Sequence, residues 1–347
     1  MRRWATAVVV GGIVLLALLA AADAFRGSDQ ESGASPTAST IHPRGKPTLT
    51  GTLRRDQISG QLIYSDPLCA LKVILLPNLQ RDRVLAENGA QLTGCSFSYA
   101  AGHFLEGNVT TTRGDGATIA RCEGQRVVVR NVVTKSVLER TTGCPVAWRP
   151  FPDGRSQLTR FAGGAIRADH TVLVSHAMLV DAARHHPNLT GLDPSIPLHV
   201  RVPEFAWPDE HKVIAVLEAS APEIQPERML ALIDGGNVTG LSTLFGGLIR
   251  HVVVSPNGGY AAVEPGILMR IDGRSWALPR TLGILQVFTF SPDARWLAVG
   301  TRASVFLVSV DDIERNEPSP RIARIPILAT DLVWEPGGVT AGTKTAG

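Results

Sequence analysis

Two matching segments limit most strongly what this chain can become: Val252-Val-Val-Ser-Pro-Asn-Gly-Gly-Tyr-Ala-Ala-Val-Glu264 and Phe288-Thr-Phe-Ser-Pro-Asp-Ala-Arg-Trp-Leu-Ala-Val-Gly300. They align without a gap at an offset of 36 residues. Each reads as an apolar strand, a Ser-Pro-Asn/Asp turn and a second strand carrying an aromatic and small residues. Proline presets φ for the turn, and Asn or Asp tolerates the tight backbone that follows. A hairpin recurring at this period cannot bury its own apolar face. It needs neighbours of the same kind packed against it.

Weaker copies appear once the template is known. Phe205-Ala-Trp-Pro-Asp-Glu-His-Lys-Val-Ile-Ala-Val216 matches with one residue missing, and Leu332-Val-Trp-Glu-Pro-Gly-Gly338 matches the first half. Val146-Ala-Trp-Arg-Pro150 matches with its Asp153-Gly154 turn displaced, and Cys95-Ser-Phe-Ser-Tyr-Ala-Ala-Gly102 is the most degenerate copy. The last strand residues before each turn are Phe97, Trp148, Trp207, Val254, Phe290 and Trp334, spaced 36 to 59 residues apart. That bracket contains the length of a four-stranded propeller blade. Two further strand signals follow the clear hairpins, at Ile267–Ile271 and Trp276–Pro279, and at Val305–Val310 and Arg321–Ile325. The fold expected is all-β: a β-propeller of six four-stranded blades.

Little chain remains after the sixth copy. Gln61-Leu-Ile-Tyr-Ser-Asp66 and Ala70-Leu-Lys-Val-Ile-Leu-Leu-Pro77 repeat the order of strand, Asp turn and strand ending in Leu-Pro seen at 267–279. They supply the missing outer half, so the last blade is closed by strands from both termini and the unpaired edges of an open stack are removed. One stretch departs from the β pattern: Ser175 to His186 reads as a short helix ended by Pro187.

The first residues set the compartment. Arg2 and Arg3 precede an apolar run from Val8 to Ala22, which reads either as an uncleaved membrane anchor over residues 1–26 or as a signal peptide cut near Ala24. The arginines stay inside in both cases, so the rest of the chain lies outside a bacterial cell membrane. Residues 27–47 are rich in Ser, Thr, Pro and Gly and form a linker, leaving 48–347 as the propeller. Cys69, Cys95, Cys122 and Cys144 fit an oxidising compartment. Four cysteines allow three pairings, and sequence does not choose among them. The local pairing Cys69–Cys95 and Cys122–Cys144 is the first to test. A formal net charge of +3 with no long basic run gives no footprint for nucleic acid.

The Ser-Pro-Asp-x-x-aromatic-Leu-Ala hairpins resemble the repeat of TolB-like propellers, and more loosely those of WD-repeat proteins. The resemblance covers residues 48 to 340 and rests on two strong copies. It implies binding of a protein partner in the cell envelope, with no cofactor required. The chain lacks the separate N-terminal globular domain of the TolB-like family and carries a tether instead.

Catalytic signatures are missing: no Gly-x-Ser-x-Gly elbow, no phosphate-binding Gly-rich loop and no His-Glu-x-x-His helix occurs. His185 and His186, with His170 and His176 nearby, read as exposed histidines rather than a metal cluster, and Trp148, Trp207 and Trp334 as core. One constellation remains. Three residues before the strand-end positions lie Glu204, His251 and Asp331. Equivalent repeat positions share one level, so these three are expected to meet at the mouth of the central channel, where they could hold a polar ligand or a divalent cation. The function expected is a membrane-tethered protein- or ligand-binding scaffold. The alternative is a metal-assisted hydrolase or lactonase with its site in the channel.

Overall fold

The structure is a computed structural model that describes residues 50–51, 57–84, 95, 97–100, 103–106, 111–113, 116–222, 224–242, 249–283 and 285–336. The expected leader and linker lie outside these residues. Among the described residues no helix is long and apolar enough to cross a membrane.

Six antiparallel sheets make up the ring. Blades I to V each begin with an inner strand and run outward in chain order. Blade I comprises Thr111–Thr112, Thr118–Glu123, Arg126–Asn131 and Val137–Thr142; blade II comprises Val146–Pro150, Ser156–Ala162, Ala165–Ala168 and Thr171–Val174. Blade III holds His199–Ala206, Lys212–Ala221, Ile224–Asp234 and Asn237–Ser242, and blade IV holds Arg250–Val254, Tyr260–Glu264, Ile267–Arg270 and Ser275–Ala277. Blade V is built from Leu285–Phe290, Trp296–Thr301, Val305–Ser309 and Ile322–Ile325, with Thr50–Gly51 added as a fifth, outermost strand. The inner strands of blades II to VI touch in succession around the ring.

Blade VI is the composite one. Its inner strand Asp331–Glu335 pairs with Gly60–Ser65, which continues outward to Leu71–Leu76 and Gln80–Val84. The register runs from Gln61 opposite Glu335 to Ser65 opposite Asp331. The closure expected from the half-length sixth repeat is therefore present. Leu62, Ile63 and Tyr64 on the closing strand are almost wholly buried.

The second strands explain why the sheets can stack. Val213 to Leu217, Ala261 to Val263 and Trp296 to Val299 are buried without interruption, because each sheet is covered on both faces by its neighbours. Small residues allow the close approach. A Cβ at Gly240 in blade III would fall 2.5 Å from the Cα of Gly273 in the last turn of blade IV. Among the described residues two α-helices decorate the ring: α1, His176–Arg184, capped by the Ser175 hydroxyl, and α2, Val310–Glu314, capped by Ser309. The first was expected; the second begins at Val310, the residue read as the end of a strand.

The first repeat copy is placed differently from expectation. Phe97 begins a two-stranded hairpin, Phe97–Ala100 with His103–Glu106, which packs beside blade VI ahead of blade I. The inner strand of blade I is Thr111–Thr112, a polar pair carrying no apolar signal. His186 is also corrected: it is buried, accepts from the Asn188 amide at 3.2 Å through Nδ1, and lies 3.9 Å from Glu227. His170, His176 and His185 are exposed. Trp207 and Trp334 are core, with their indole N–H groups donating to Thr159 and to the Ser59 carbonyl, while Trp148 is half-buried.

Candidate functional site: the link face

Antiparallel sheets place all interblade links and all turns between second and third strands at one end of the ring, here called the link face. The Ser-Pro-Asn/Asp and Asp-Gly turns lie at the other. Asp331 and His251 are the first and second residues of their inner strands and Glu204 the sixth of eight in His199–Ala206, in blades VI, IV and III.

His251 stands where the repeat breaks. Its counterpart in blade V, Val287, pairs directly with Gly300, and a Cβ at Gly300 would meet the Val287 side chain at 2.4 Å. In blade IV, Arg250 pairs with Glu264 and Val252 with Val263, so His251 is bulged out at φ 54°. A bulge re-aims a side chain in this way. Position 264 is then free to carry a carboxylate instead of the hydrogen of Gly300. Both His251 nitrogens face acids: Nδ1 lies 3.8 Å from Glu204 and Nε2 3.7 Å from Glu264. The His251 side chain is 64% exposed and that of Glu264 only 6%.

The two carboxylates at the expected positions do the same structural job. Glu204 accepts the Val252 amide at 2.9 Å, and Asp331 accepts the Phe97 amide at 2.9 Å. Glu204 ties its inner strand to that of blade IV, and Asp331 ties its inner strand to the two-stranded hairpin that begins at Phe97. Asp331 also accepts from its neighbour Leu332 at 2.8 Å. Burial pushes the carboxyls of Glu204 and Asp331 up from their ordinary range, and the field of His251 opposes that shift in both. Glu264 adds to the upward shift of Glu204 by like-charge repulsion. His251 thus stands between two carboxylates, Glu204 and Glu264. Among the described residues no three His, Cys, Asp or Glu side chains are grouped so as to hold a metal ion. Glu264 is the member that sequence reasoning missed. Its signal was a carboxylate closing an apolar strand where the sister repeat has glycine.

Both disulfides form in the local pairing, Cys69–Cys95 and Cys122–Cys144. Cys69, between the second and third strands of blade VI, and Cys122, near the end of the second strand of blade I, are each joined to the link leaving that blade. In blade III the corresponding tie is ionic. Arg228 holds Glu218 through Nε and Nη2 at 2.8 and 2.7 Å, and its Nη1 donates to the Ile249 carbonyl of the exit link at 3.3 Å.

No protein-family model matches the chain, and no curated protein sequence matches it. Solved structures that resemble it are the hydrazine synthase of Kuenenia stuttgartiensis (14% identity, TM-score 0.33, 70% of this chain and 94% of that one) and the β-propeller domain of Cps50 (Swd1) from Myceliophteria thermophila (12%, 0.33, 70% and 93%). A chain of a mitotic checkpoint complex resembles it at 12% identity and TM-score 0.38, over 81% of this chain and 84% of that one. Likeness at this level identifies no function.

Proposed function

We propose that the chain is an extracytoplasmic binding module of the cell envelope, and that it holds a protein partner on its link face. The observation that carries this reading is the departure at His251. Register shifts also interrupt the inner strands of blades III and V, but among the described inner-strand residues only His251 takes a left-handed backbone, and its bulge brings an imidazole between Glu204 and Glu264. Local rules are broken most often where a site is installed. The excess of carboxylate over cationic charge suits a basic group on the partner, a lysine or arginine side chain, which would offset the repulsion among the acids. The basic apolar leader and the paired cysteines support placement outside the membrane, and the TolB-like hairpins support an envelope partner.

A photo-crosslinking residue placed at Pro203, exposed on the link face, should trap a partner in intact membranes, and the same residue at Asn257, exposed on the opposite face, should not. Glu204→Gln with Glu264→Gln should reduce the adduct at 203 at least fivefold. Equal adducts from both faces, or none from 203, would overturn the proposal.

A further inference from the structure

A second feature of the link face lies apart from the acidic cluster. Between blades I, II and III opens a cavity of about 870 Å³, walled by the Cys122–Cys144 disulfide and Phe161 and lined on the blade III side by Arg201, Glu218 and Arg228. Cavities that bind organic ligands fall in the range of roughly 300–1,000 Å³ and combine apolar walls with a few fixed polar groups. Both kinds of lining are present.

The charges in it are not balanced. Glu218 is committed to Arg228, whose two nitrogens hold one of its oxygens at 2.7 and 2.8 Å. Arg201 reaches the other oxygen only at 3.9 Å, and its side chain is 79% exposed. Two guanidinium groups therefore share one carboxylate, and the donors of Arg201 remain turned to solvent at the cavity. Arg228, fixed by its bond to the Ile249 carbonyl, holds Glu218 in place, so the local charge of plus one cannot be cancelled by rearrangement. A guanidinium fork matches a planar carboxylate in two parallel hydrogen bonds, and such charge-assisted pairs are the strong ones.

We infer that this cavity is a binding site for a carboxylate joined to an apolar body, with Arg201 pairing the carboxylate and Phe161 and the disulfide covering the apolar part. The site uses none of the charged groups of the acidic cluster: Arg201 and Glu204 lie on either side of a bulge in the same strand, Arg201 facing Glu218 and Glu204 accepting the Val252 amide. The carboxylate could belong to a small organic acid or to the C-terminus of a peptide.

Isothermal titration of the disulfide-intact protein with three probes separates these cases: N-acetyl-Gly-Gly-Phe with a free C-terminus, the same peptide as its amide, and phenylacetate. The free-acid tripeptide should bind, and the amide at least tenfold more weakly. Phenylacetate binding as tightly as the tripeptide would assign a small acid as ligand; tripeptide binding alone would assign a peptide end. Arg201→Gln should weaken the free-acid tripeptide tenfold or more, whereas Glu204→Gln should change it less than twofold and reports on the cluster alone. Arg201 makes so little contact that the substitution leaves the fold intact. Equal binding of acid and amide, an unaffected Arg201→Gln protein, or no binding of either acid would overturn the inference.

Discussion

Replacing Asp312 by Asn should cost about 2–3 kcal/mol at pH 7. Asp312 lies in α2 and is 4% exposed. Its carboxylate accepts from the Arg321 amide at 2.9 Å, from Arg321 Nε at 2.7 Å and Nη2 at 2.8 Å, and from Arg315 Nη2 at 2.8 Å. Breaking a fully buried ion pair from one side costs roughly 3–5 kcal/mol. Here the arginines keep 31% and 61% of their side-chain exposure and can recover water, which lowers the figure. The hydrogen bonds from Arg321 hold the Asp312 carboxyl well below its usual range, despite a desolvation penalty that acts the other way. A carboxyl depressed in the folded state contributes its full stabilisation above the unfolded value near 3.8 and loses it as pH falls through the folded value. Within that interval wild-type stability should fall by about 1.4 kcal/mol per pH unit on account of this group alone. Urea denaturation of wild type and Asp312→Asn at pH 7, 5, 3.5 and 2.5 should give a constant difference at the first two and a shrinking one at the last two. The exposed pair Asp153–Arg155 serves as control, and Asp153→Asn should leave the denaturation midpoint unchanged within error. A difference for Asp312→Asn below about 0.5 kcal/mol at pH 7, or one that persists unchanged to pH 2.5, would refute the reasoning.

Leu62→Ala on the closing strand should cost about 3–5 kcal/mol, since Leu62 is wholly buried beside Trp334 and Ile325. Leu75→Ala on the neighbouring strand, 44% exposed, should cost under about 1 kcal/mol; equal costs would mean that the closure does not carry load. Titration of denatured, unreduced protein should find no free thiols. Replacing Cys122 and Cys144 by Ser should lower stability by about 3 kcal/mol, measured by urea denaturation, for a loop spanning 22 residues.

What could be read from the chain depended on whether one local rule was enough. The hairpins of blades IV and V carry Ser-Pro-Asn and Ser-Pro-Asp turns, whose chemistry fixes their geometry without help from the rest of the fold. Terminal closure was legible for a related reason: Gln61–Asp66 and Ala70–Pro77 repeat a strand-turn-strand order seen elsewhere. Thr111–Thr112 was not legible, because two polar residues become an inner strand only through neighbours already in place. His186 looked like a loop histidine because nothing local announces that Leu189 and α1 bury the segment around it. The acidic cluster was half legible. Repeat equivalence picks out Glu204, His251 and Asp331, but the part played by Glu264 depends on a bulge, and a bulge is a property of paired strands rather than of either sequence.

The composite blade also fixes an order of events in the life of each molecule. The indole of Trp334 bonds the Ser59 carbonyl across a separation of 275 residues. At synthesis rates of about 5–20 residues per second, Gly60–Ser65 waits on the order of 15–55 s for its inner partner to be made. Cys69 and Cys95 are only 26 residues apart, so that bond can form while the ring is still open. The Phe97 amide, however, gains its bond to the Asp331 carboxylate only when that residue arrives. Every nascent chain therefore passes through a stage in which one apolar strand shows a bare edge to its surroundings. Whatever attends the nascent chain must shield that edge, and must release it only once the last inner strand has emerged.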